Sequence, residues 1–317
     1  QTKNKITNSK KEFSDYKISK SACNSIWKLI QGKLIDNFLS NNKIKKDKKT
    51  NTNGIKKYRK AKFANTKDAH KCKLLICEGD SAESMTRTCL TSPLIEMDYD
   101  YFGTFNIQGV PINSRTKTNI IRGMIQRTKQ LIDNERLSSL QRVLNLDYDK
   151  KYETKEEIST LSYGCIVICV DQDLDGIGQI FGLILSHIEL FWPSLIKNGF
   201  IKQLSTPIIR AYKNKKGIPF YTDQQYEKWS SDKDVSKYKI CYYKGLATHN
   251  DKEAIEIFLN FDKLLCNISY DINAKKSFNI YYGKEPDLRK KELKDGMENI
   301  EDSLSTRSCT NHLKIHT

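Results

Sequence analysis

The sequence predicts an α/β protein in which a doubly wound parallel sheet is flanked by helices. Apolar runs typical of buried strands alternate with amphipathic helical patterns along the chain, and this alternation favours βαβ units. The run over 165–170, Cys-Ile-Val-Ile-Cys-Val, is continuous and rich in β-branched residues, as in strands buried on both faces. With 317 residues, the chain can bury a sizeable core and form about two domains.

The elements follow one another in a regular order. Residues 21–40 carry apolar side chains at helical spacing and offer a serine as N-cap, which predicts an amphipathic helix. Past Lys284 the sequence is charged and weakly patterned, and it predicts no element there. Between these segments we predict strands over 73–77, 101–107, 165–170, 200–212, 219–221 and 239–243, and helices over 82–90, 118–146, 177–192 (ended by Pro193) and 251–258.

Positive charge is concentrated in one segment. The formal net charge is +16, and residues 41–62 contain ten Lys or Arg against one acid, Asp47. This Asn- and Thr-rich composition predicts a basic linker, which we assign to residues 41–70. One interpretation of such a run is a solvated connector. The other is a polyanionic partner, above all DNA or RNA, since phosphate neutralisation is the main sequence-independent source of affinity.

Composition disfavours several classes of protein. The longest apolar stretch, 180–192, is interrupted by His187 and Glu189 and is shorter than the roughly 20 residues of a membrane span, so we expect no membrane association. Nine cysteines without a Cys-x-x-Cys pair favour neither a disulfide framework nor a zinc site. We interpret Cys165 and Cys169 as buried side chains in a reducing, intracellular environment. The chain begins at Gln1 without an initiator Met, which we interpret as a piece of a longer protein.

Two acidic strings each come directly after a predicted strand: Glu-Gly-Asp-Ser-Ala over 78–82 and Asp-Gln-Asp-Leu-Asp-Gly over 171–176. Ligands of doubly wound sheets bind at the carboxyl ends of strands, so two neighbouring strands would bring Glu78, Asp171 and Asp173 into one crevice. Clustered carboxylates repel one another and are tolerated where a cation lies between them, and oxygen ligands suit Mg²⁺. The strings therefore predict a magnesium site.

The second string has other possible uses. Asp-x-Asp-x-Asp-Gly also begins an EF-hand calcium loop, but the twelfth position of that loop, which needs a Glu, is Gly182 here, and a strand leads in. A strand followed by Asp-x-Asp also begins phosphatases that use the first Asp as nucleophile. That interpretation explains neither the first string nor the basic segment. A purely structural acidic turn is the remaining alternative.

Together the two strings resemble the metal-binding signature of the TOPRIM domain in type IIA DNA topoisomerases. Further stretches agree in order, namely Pro-Ile-Ile-Arg over 207–210, Tyr-Tyr-Lys-Gly-Leu over 242–246 and Asp-Leu-Arg-Lys over 287–290. Gln1-Thr2-Lys3 is similar to the nucleotide-sensing loop of the family's ATPase-transducer region. The resemblance implies four parts: the end of the ATPase/transducer region over 1–40, the basic linker over 41–70, a Rossmann-like TOPRIM domain over 71–265, and a connection towards a winged-helix domain over 266–317.

The resemblance also implies a site and its partners. In this family a tyrosine attacks a phosphodiester in each DNA strand, and metal-bound carboxylates stabilise the charge that develops. Carried over, the carboxylates hold Mg²⁺, with Mn²⁺ or Ca²⁺ as substitutes, and Glu78 also serves in acid–base chemistry. The residues implied to contact DNA have an alternative interpretation, in which the Asn only shapes a turn and the lysines are solvated surface residues. The implied residues are Glu78, Asp171, Asp173 and Asp175 for metal, Gln1 and Lys3 for ATP, and Asn113, Lys244 and Lys284 for double-stranded DNA.

The chain departs from the family pattern at several positions. Asn-Ile-Gln-Gly-Val over 106–110 stands where the family has Pro-Leu-Arg-Gly-Lys, so two positive charges are missing, and Leu174 and Ala247 replace a His and a Gly. These changes favour a divergent member, such as one encoded by a large DNA virus, acting in the nucleus or in the host cytoplasm. None of the 16 tyrosines follows an Arg, as the family's nucleophile does, so we expect the cleavage tyrosine to lie outside the chain.

These inferences give one leading function and two alternatives. The leading expectation is an ATP-dependent, homodimeric enzyme that relaxes and decatenates DNA, in which this chain, inactive alone, supplies the metal half of the cleavage site. A TOPRIM-type nuclease or primase would use the same carboxylates without needing the segments 1–3 and 242–246. A non-catalytic nucleic-acid-binding module would depend on the basic segment instead.

Overall fold

In this computed structural model, the described residues are 21, 24–27, 30, 33, 52–121, 124–214, 216–294 and 305–316. The chain divides into two units, residues 1–51 and 52–317. The described residues of the first unit are helical, in agreement with the predicted helix over 21–40. The rest of that helix, and residues 41–51 of the predicted linker, lie outside the described residues.

The second unit contains a main sheet of mixed, mostly parallel strands. Its order is β1-β3-β2-β6-β7-β11-β12, and the four neighbours β3, β2, β6 and β7 run parallel. β1 and β11 join antiparallel to β3 and β7. The predicted α/β class is confirmed. The described strands are β1 (Tyr58–Arg59), β2 (Lys73–Cys77), β3 (Phe102–Asn106), β4 (Thr118–Ile121), β5 (Met124–Arg127), β6 (Cys165–Cys169), β7 (Ile201–Leu204), β8 (Ile209–Lys213), β9 (Lys216–Phe220), β10 (Lys239–Tyr242), β11 (Leu265–Ser269) and β12 (Thr306–Ser308).

Two predicted helices, over 82–90 and 251–258, lie within two residues of the bounds that the structure shows. A π-helical stretch, Leu174–Phe181, begins within the second acidic string and leads directly into the helix Gly182–Phe191. The described α-helices are α1 (Asp80–Leu90), α2 (Lys129–Ile132), α3 (Glu135–Leu144), α4 (Lys155–Ile158), α5 (Gly182–Phe191), α6 (Pro193–Lys197), α7 (Asp223–Ser231), α8 (Asp251–Leu259), α9 (Ala274–Tyr282), α10 (Pro286–Lys294) and α11 (Cys309–His316).

Helices cover both faces of the main sheet. Along β2, Leu74 and Ile76 belong to a core that includes α3 and α5, whereas Leu75 and Cys77 belong to a second core that includes α1 and α8. Strand side chains alternate between faces, so a strand buried on both sides needs apolar residues at every position. This requirement explains the continuous apolar runs in the sequence.

Residues 118–146 are not one largely helical stretch, as we predicted. β4 and β5 form a two-stranded hairpin, with Ile120 directly opposite Ile125, and helix begins only at Lys129. Thr, Ile and paired apolar residues are favoured in strands. The helical spacing belongs to α3 alone, and extending it back to residue 118 was wrong.

Prolines account for two further differences in element bounds. Pro193 does more than end a helix, because it is the first residue of α6, a position where its missing N–H leaves no bond unmade. The predicted strand over 200–212 is two strands, β7 and β8, which lie in different sheets, and Pro207 lies between them.

Past Lys284, where the sequence predicts no element, α10, β12 and α11 form.

Residues 52–70 belong to the folded unit, although we predicted a linker over 41–70. β1 pairs with β3, the hydroxyl oxygens of Tyr58 and Tyr163 lie 2.8 Å apart, and Ala61 is buried. Apolar residues spaced among the lysines therefore cover one edge of the sheet, and counting charges alone concealed them. The other predicted domain bounds stay predictions. The helices of the described ranges include none that is both long and apolar enough to cross a membrane.

Candidate metal centre

The two acidic strings meet at one edge of the main sheet. β2 and β6 are parallel neighbours, with Cys77 opposite Cys169. Glu78 follows β2 directly, and Asp171 lies two residues past the end of β6. Both side chains therefore arise at the carboxyl ends of adjacent strands, which is the arrangement that the sequence predicts.

The carboxylates in this crevice disfavour one another's charge. Burial and then the charge of Asp171 raise the pKa of Glu78, with smaller contributions from Asp173 and Asp175, while the backbone amide of Asp171 acts in the opposite direction. Burial and then Asp173 raise the pKa of Asp171, while Lys244 lowers it. Oε2 of Glu78 is buried without a hydrogen-bond partner among the residues described. A buried, unpartnered carboxylate oxygen is unfavourable, and a cation is the partner that would remove this penalty.

A short loop, the Gly245 loop (residues 244–248), closes over Asp171. The backbone N–H of Gln172 donates to the carbonyl oxygen of Lys244 at 2.6 Å, which fixes the loop against the second string. A Cβ atom on Gly245 would clash with Oδ1 of Asp171, so a larger residue at this position would displace the Asp171 side chain. Lys244, a predicted DNA contact, has an exposed side chain at this loop.

Asp173 and Asp175 stand at the start of the π-helical stretch and are exposed. Asp173 is its N-cap, and Oδ1 accepts from the N–H of Gly176 at 2.8 Å. Oδ1 of Asp175 accepts from the side-chain amide of Gln179 at 2.7 Å. A Cβ on Gly176 would lie 2.3 Å from the carbonyl oxygen of Asp171, so glycine permits the sharp turn. These two carboxylates shape the string as well as charging the crevice.

A cluster around Asp80 was missed by sequence reasoning. Asp80 begins α1, and its Oδ1 accepts hydrogen bonds from the ammonium of Lys57 at 2.6 Å and from the side-chain amide of Asn106 at 2.6 Å. The sequence could have indicated Asp80 itself, because negative charge is favourable at a helix N-terminus. It could not have indicated the partners of Asp80, since Lys57 lies in the segment predicted as a linker. The cluster brings a positive charge to the edge of the crevice.

A buried network supports the Gly245 loop. Glu253 of α8 accepts hydrogen bonds from the hydroxyls of Tyr212 and Tyr243, the latter at 2.8 Å, and the Tyr243 ring stacks on His249 with centroids 4.2 Å apart. Burial on its own would raise the pKa of Glu253, but the two donated hydroxyl bonds help to lower that pKa overall. Glu253 is thus an ionised anchor that fixes the chain just before the loop.

The other predicted ligand-binding residues either contact parts of the chain other than the acidic strings or lie outside the described residues. The side-chain amide of Asn113 donates to the carbonyl oxygen of Tyr282 at 2.9 Å. The ammonium of Lys284 donates to the carbonyl oxygen of Thr118 at 2.6 Å. Lys284 therefore holds the first residue of β4 to the segment after α9, and Asn113 holds the preceding turn to the end of α9. The predicted ATP contacts, Gln1 and Lys3, lie outside the described residues.

The donor set fits a hard divalent cation in kind. Carboxylate oxygens are the ligands that Mg²⁺ prefers, and Mg²⁺ is commonly held by one or two carboxylates together with water and phosphate. Glu78 and Asp171 could provide two, and Oε2 of Glu78 is buried without a hydrogen-bond partner among the described residues. In the described part of the chain, no group of three or more His, Cys, Asp or Glu residues is arranged to hold a metal ion. The convergence of three carboxylates that the sequence predicts is therefore not seen among the described residues, and Glu78 and Asp171 would be the two that a cation meets.

We expect Gly245→Ala to disturb this site and Gly79→Ala to spare it. The added methyl at Gly245 meets Asp171, whereas a Cβ at Gly79 meets no atom within 4 Å, and Gly79 has an extended backbone (φ −140°) that alanine adopts. Overpacking of this kind lowers the free energy of unfolding by about 1–3 kcal/mol. Urea denaturation of both variants measures the difference. Equal stability of the two variants would mean that the loop does not bear on Asp171.

Comparisons with known proteins agree with one another. The family described as the C-terminal associated domain of TOPRIM matches residues 204–316. A DNA topoisomerase 2 of African swine fever virus is 40% identical over 281 residues, covering 83% of this chain and 24% of the viral protein. A DNA topoisomerase 2 of Caenorhabditis elegans is 35% identical over 282 residues, covering 86% of this chain and 18% of that protein. The chain thus spans about a quarter of the length of the viral relative.

A solved structure matches the fold as well as the sequence. The topoisomerase II DNA-binding, cleavage and re-ligation domain of Plasmodium falciparum superposes with a TM-score of 0.72 at 29% identity. The match covers 82% of this chain and 34% of that one. The mixed sheet with helices on both faces is therefore an arrangement that this solved protein shares.

Proposed function

We propose, because this chain belongs to the type IIA DNA topoisomerase family, that it supplies the metal-binding half of a DNA-cleavage site. One observation carries the proposal. Glu78 and Asp171 stand at the carboxyl ends of adjacent parallel strands, and Oε2 of Glu78 is buried there without a partner in the described residues. This donor set suits Mg²⁺, with Mn²⁺ or Ca²⁺ as substitutes.

Each residue of the crevice has a part in the proposal. Glu78 and Asp171 hold the cation, while Asp173 and Asp175 add negative charge and extend towards a second metal position. Bound Mg²⁺ would stabilise charge on the scissile phosphate and on the departing 3′ oxygen. The raised pKa of Glu78 suits it to exchange a proton at its carboxylate. Lys244, exposed on the Gly245 loop, offers a phosphate contact.

The other steps fall to the rest of the protein. No tyrosine of this chain follows an Arg, so we assign the attack on DNA to a tyrosine elsewhere and expect the isolated chain to cleave nothing. The proposed whole protein is an intracellular homodimer that uses ATP, contacted through Gln1 and Lys3, to relax and decatenate double-stranded DNA. Asn113 and Lys284, which contact Tyr282 and Thr118 rather than the acidic strings, are further proposed DNA contacts.

Metal binding by the chain tests the proposal. In Mn²⁺ titrations followed by electron paramagnetic resonance, we expect Glu78→Gln and Asp171→Asn each to weaken binding by about tenfold or more, because each removes an anionic oxygen ligand. Asp262→Asn is the matched control, since Asp262 is 80% exposed and lies near Lys73 at the other end of β2. Unchanged affinity in both site variants would contradict the proposal.

The same substitutions are expected to stabilise the metal-free chain. The pKa values of Glu78 and Asp171 are raised in the fold, so the folded chain binds these protons more tightly than the unfolded chain. The stability that protonation adds is complete below the unfolded pKa and is lost as pH rises through the folded pKa. At pH 7 the ionised pair is therefore unfavourable, and we expect a higher Tm for either variant than for the unaltered chain. This gain should shrink as the pH falls below the raised pKa values.

A further inference from the structure

The β4–β5 hairpin presents apolar side chains to solvent. Ile120 is 78% exposed, Met124 48% and Ile125 39%. Ile120 and Ile125 are directly opposite in the pairing register, so their side chains lie on one face of the hairpin. An apolar cluster left outside the core does not stabilise the fold and is typical of a contact surface.

The base of the hairpin, by contrast, is firmly held. The ammonium of Lys284 donates to the carbonyl oxygen of Thr118 at 2.6 Å and lies 3.3 Å from Oδ1 of Asn119. At the other strand, the guanidinium of Arg127 lies 3.7 Å from the centre of the Tyr148 ring. A hairpin fixed at its base loses little conformational freedom when its tip binds a partner, which favours affinity.

The charge around the hairpin favours an anionic partner. No Asp or Glu occurs over 114–129, and Lys117 and Lys129 flank the two strands. The hairpin base also contacts Lys284, a proposed DNA contact. The major groove of DNA is about 12 Å wide and admits a two-stranded β-ribbon, and thymine methyl groups offer apolar contacts there. Exposed apolar side chains on the strands, basic flanks and ribbon shape together fit duplex DNA.

We propose that the β4–β5 hairpin enters the major groove of duplex DNA, with Ile120 and Ile125 against base edges and Lys117 and Lys129 near phosphates. This contact rests on the proposed function, in which the chain binds double-stranded DNA. It adds an apolar contact to a chain that has Gln108 and Val110 at two positions where the family pattern has basic residues.

The double substitution Ile120→Thr with Ile125→Thr tests the contact. Threonine keeps the β-branched shape that strands favour and removes apolar surface. We expect about tenfold weaker binding to a short, fluorescein-labelled, thymine-rich duplex, measured by fluorescence anisotropy in EDTA. The slope of log affinity against log salt should stay unchanged, because no charge is removed. Ile272→Thr is the matched control, since Ile272 is 98% exposed after β11, and it should bind as the unaltered chain does.

Replacing thymine with uracil in the duplex gives a second readout. This change removes the major-groove methyl groups and should weaken the unaltered chain while leaving the double variant unaffected. If the unaltered chain binds DNA and the double variant binds equally well, the hairpin contact is refuted and the metal half-site is not. A double variant that changes only the oligomeric state in sedimentation would also overturn the proposal, because the hairpin would then join copies of the chain. An unaltered chain that binds no duplex would overturn both the hairpin contact and the proposed DNA binding.

Discussion

Asp171→Asn in the full-length protein is expected to lower Mg²⁺-dependent DNA cleavage by at least about a hundredfold. Asp171 is half-buried beside Glu78, and asparagine keeps its shape under the Gly245 loop while removing its charge. Cleavage is measured by the yield of linear plasmid when the cleaved complex is trapped with detergent. DNA binding without metal should be equal or tighter, because a negative charge near the phosphate path is lost.

This pair of readouts separates a metal ligand from a structural residue. A variant that merely loosened the fold would lose DNA binding together with cleavage, whereas the loss of a metal ligand lowers cleavage and leaves metal-free DNA binding equal or tighter. Asp262→Asn, an exposed carboxylate at the other end of β2, should retain cleavage. Full Mg²⁺-dependent activity of the Asp171→Asn protein would remove Asp171 from the site.

The sequence predicts those parts of the site that depend on neighbouring residues in the chain. An apolar run followed by an acidic string places a carboxylate at a strand end, and parallel neighbours then bring Glu78 and Asp171 to one crevice. The supports came from elsewhere in the chain. Lys57 reaches Asp80 across 23 positions, and Gly245 contacts Asp171 from the loop before α8. Such pairings depend on the path of the whole chain, which one sequence does not reveal.

Elements of the fold could be predicted where burial imposes a periodic pattern of apolar residues. Elements with few buried residues could not. β2 and β6 are buried on both faces, so their sequences are apolar throughout. The β4–β5 hairpin has little core to satisfy, and its residues therefore carry no clear period. The prediction of a linker over residues 52–70 was wrong for a related reason. Its few buried residues, such as Ala61 and Ala64, are outnumbered by exposed lysines.

The crevice itself illustrates a conflict between stability and function. Adjacent strand ends hold carboxylates whose charges raise one another's pKa, which is unfavourable for the metal-free fold. The Gly245 loop presses on Asp171 and is in turn fixed by the Glu253 network. Like charges held close together attract a cation, so a feature that is unfavourable for the metal-free fold is also the one that suits the proposed metal site.

Glu189→Gln is expected to lower the free energy of unfolding by about 3–5 kcal/mol. Glu189 of α5 is 5% exposed and forms an ion pair with Arg115, which is 7% exposed, and it accepts a hydrogen bond from the hydroxyl of Tyr270 at 2.8 Å. Glutamine keeps the size of the side chain but leaves the Arg115 charge buried without its counter-ion. Urea denaturation of the chain measures the loss.

The expected loss is large because Arg115 joins several elements at one point. Its guanidinium also donates to Oγ of Ser186 at 3.0 Å and to Oδ1 of Asn279 at 2.6 Å, so the turn that precedes the β4–β5 hairpin is tied to α5 and α9 together. Asp68→Asn is the control, because Asp68 pairs with Lys71 at the surface, where solvent screens the charges and no measurable loss is expected. If Glu189→Gln were as mild as that control, the buried ion pair would not be what ties the turn before the hairpin to α5 and α9, and the contacts of Lys284 and Arg127 would hold the hairpin base without it.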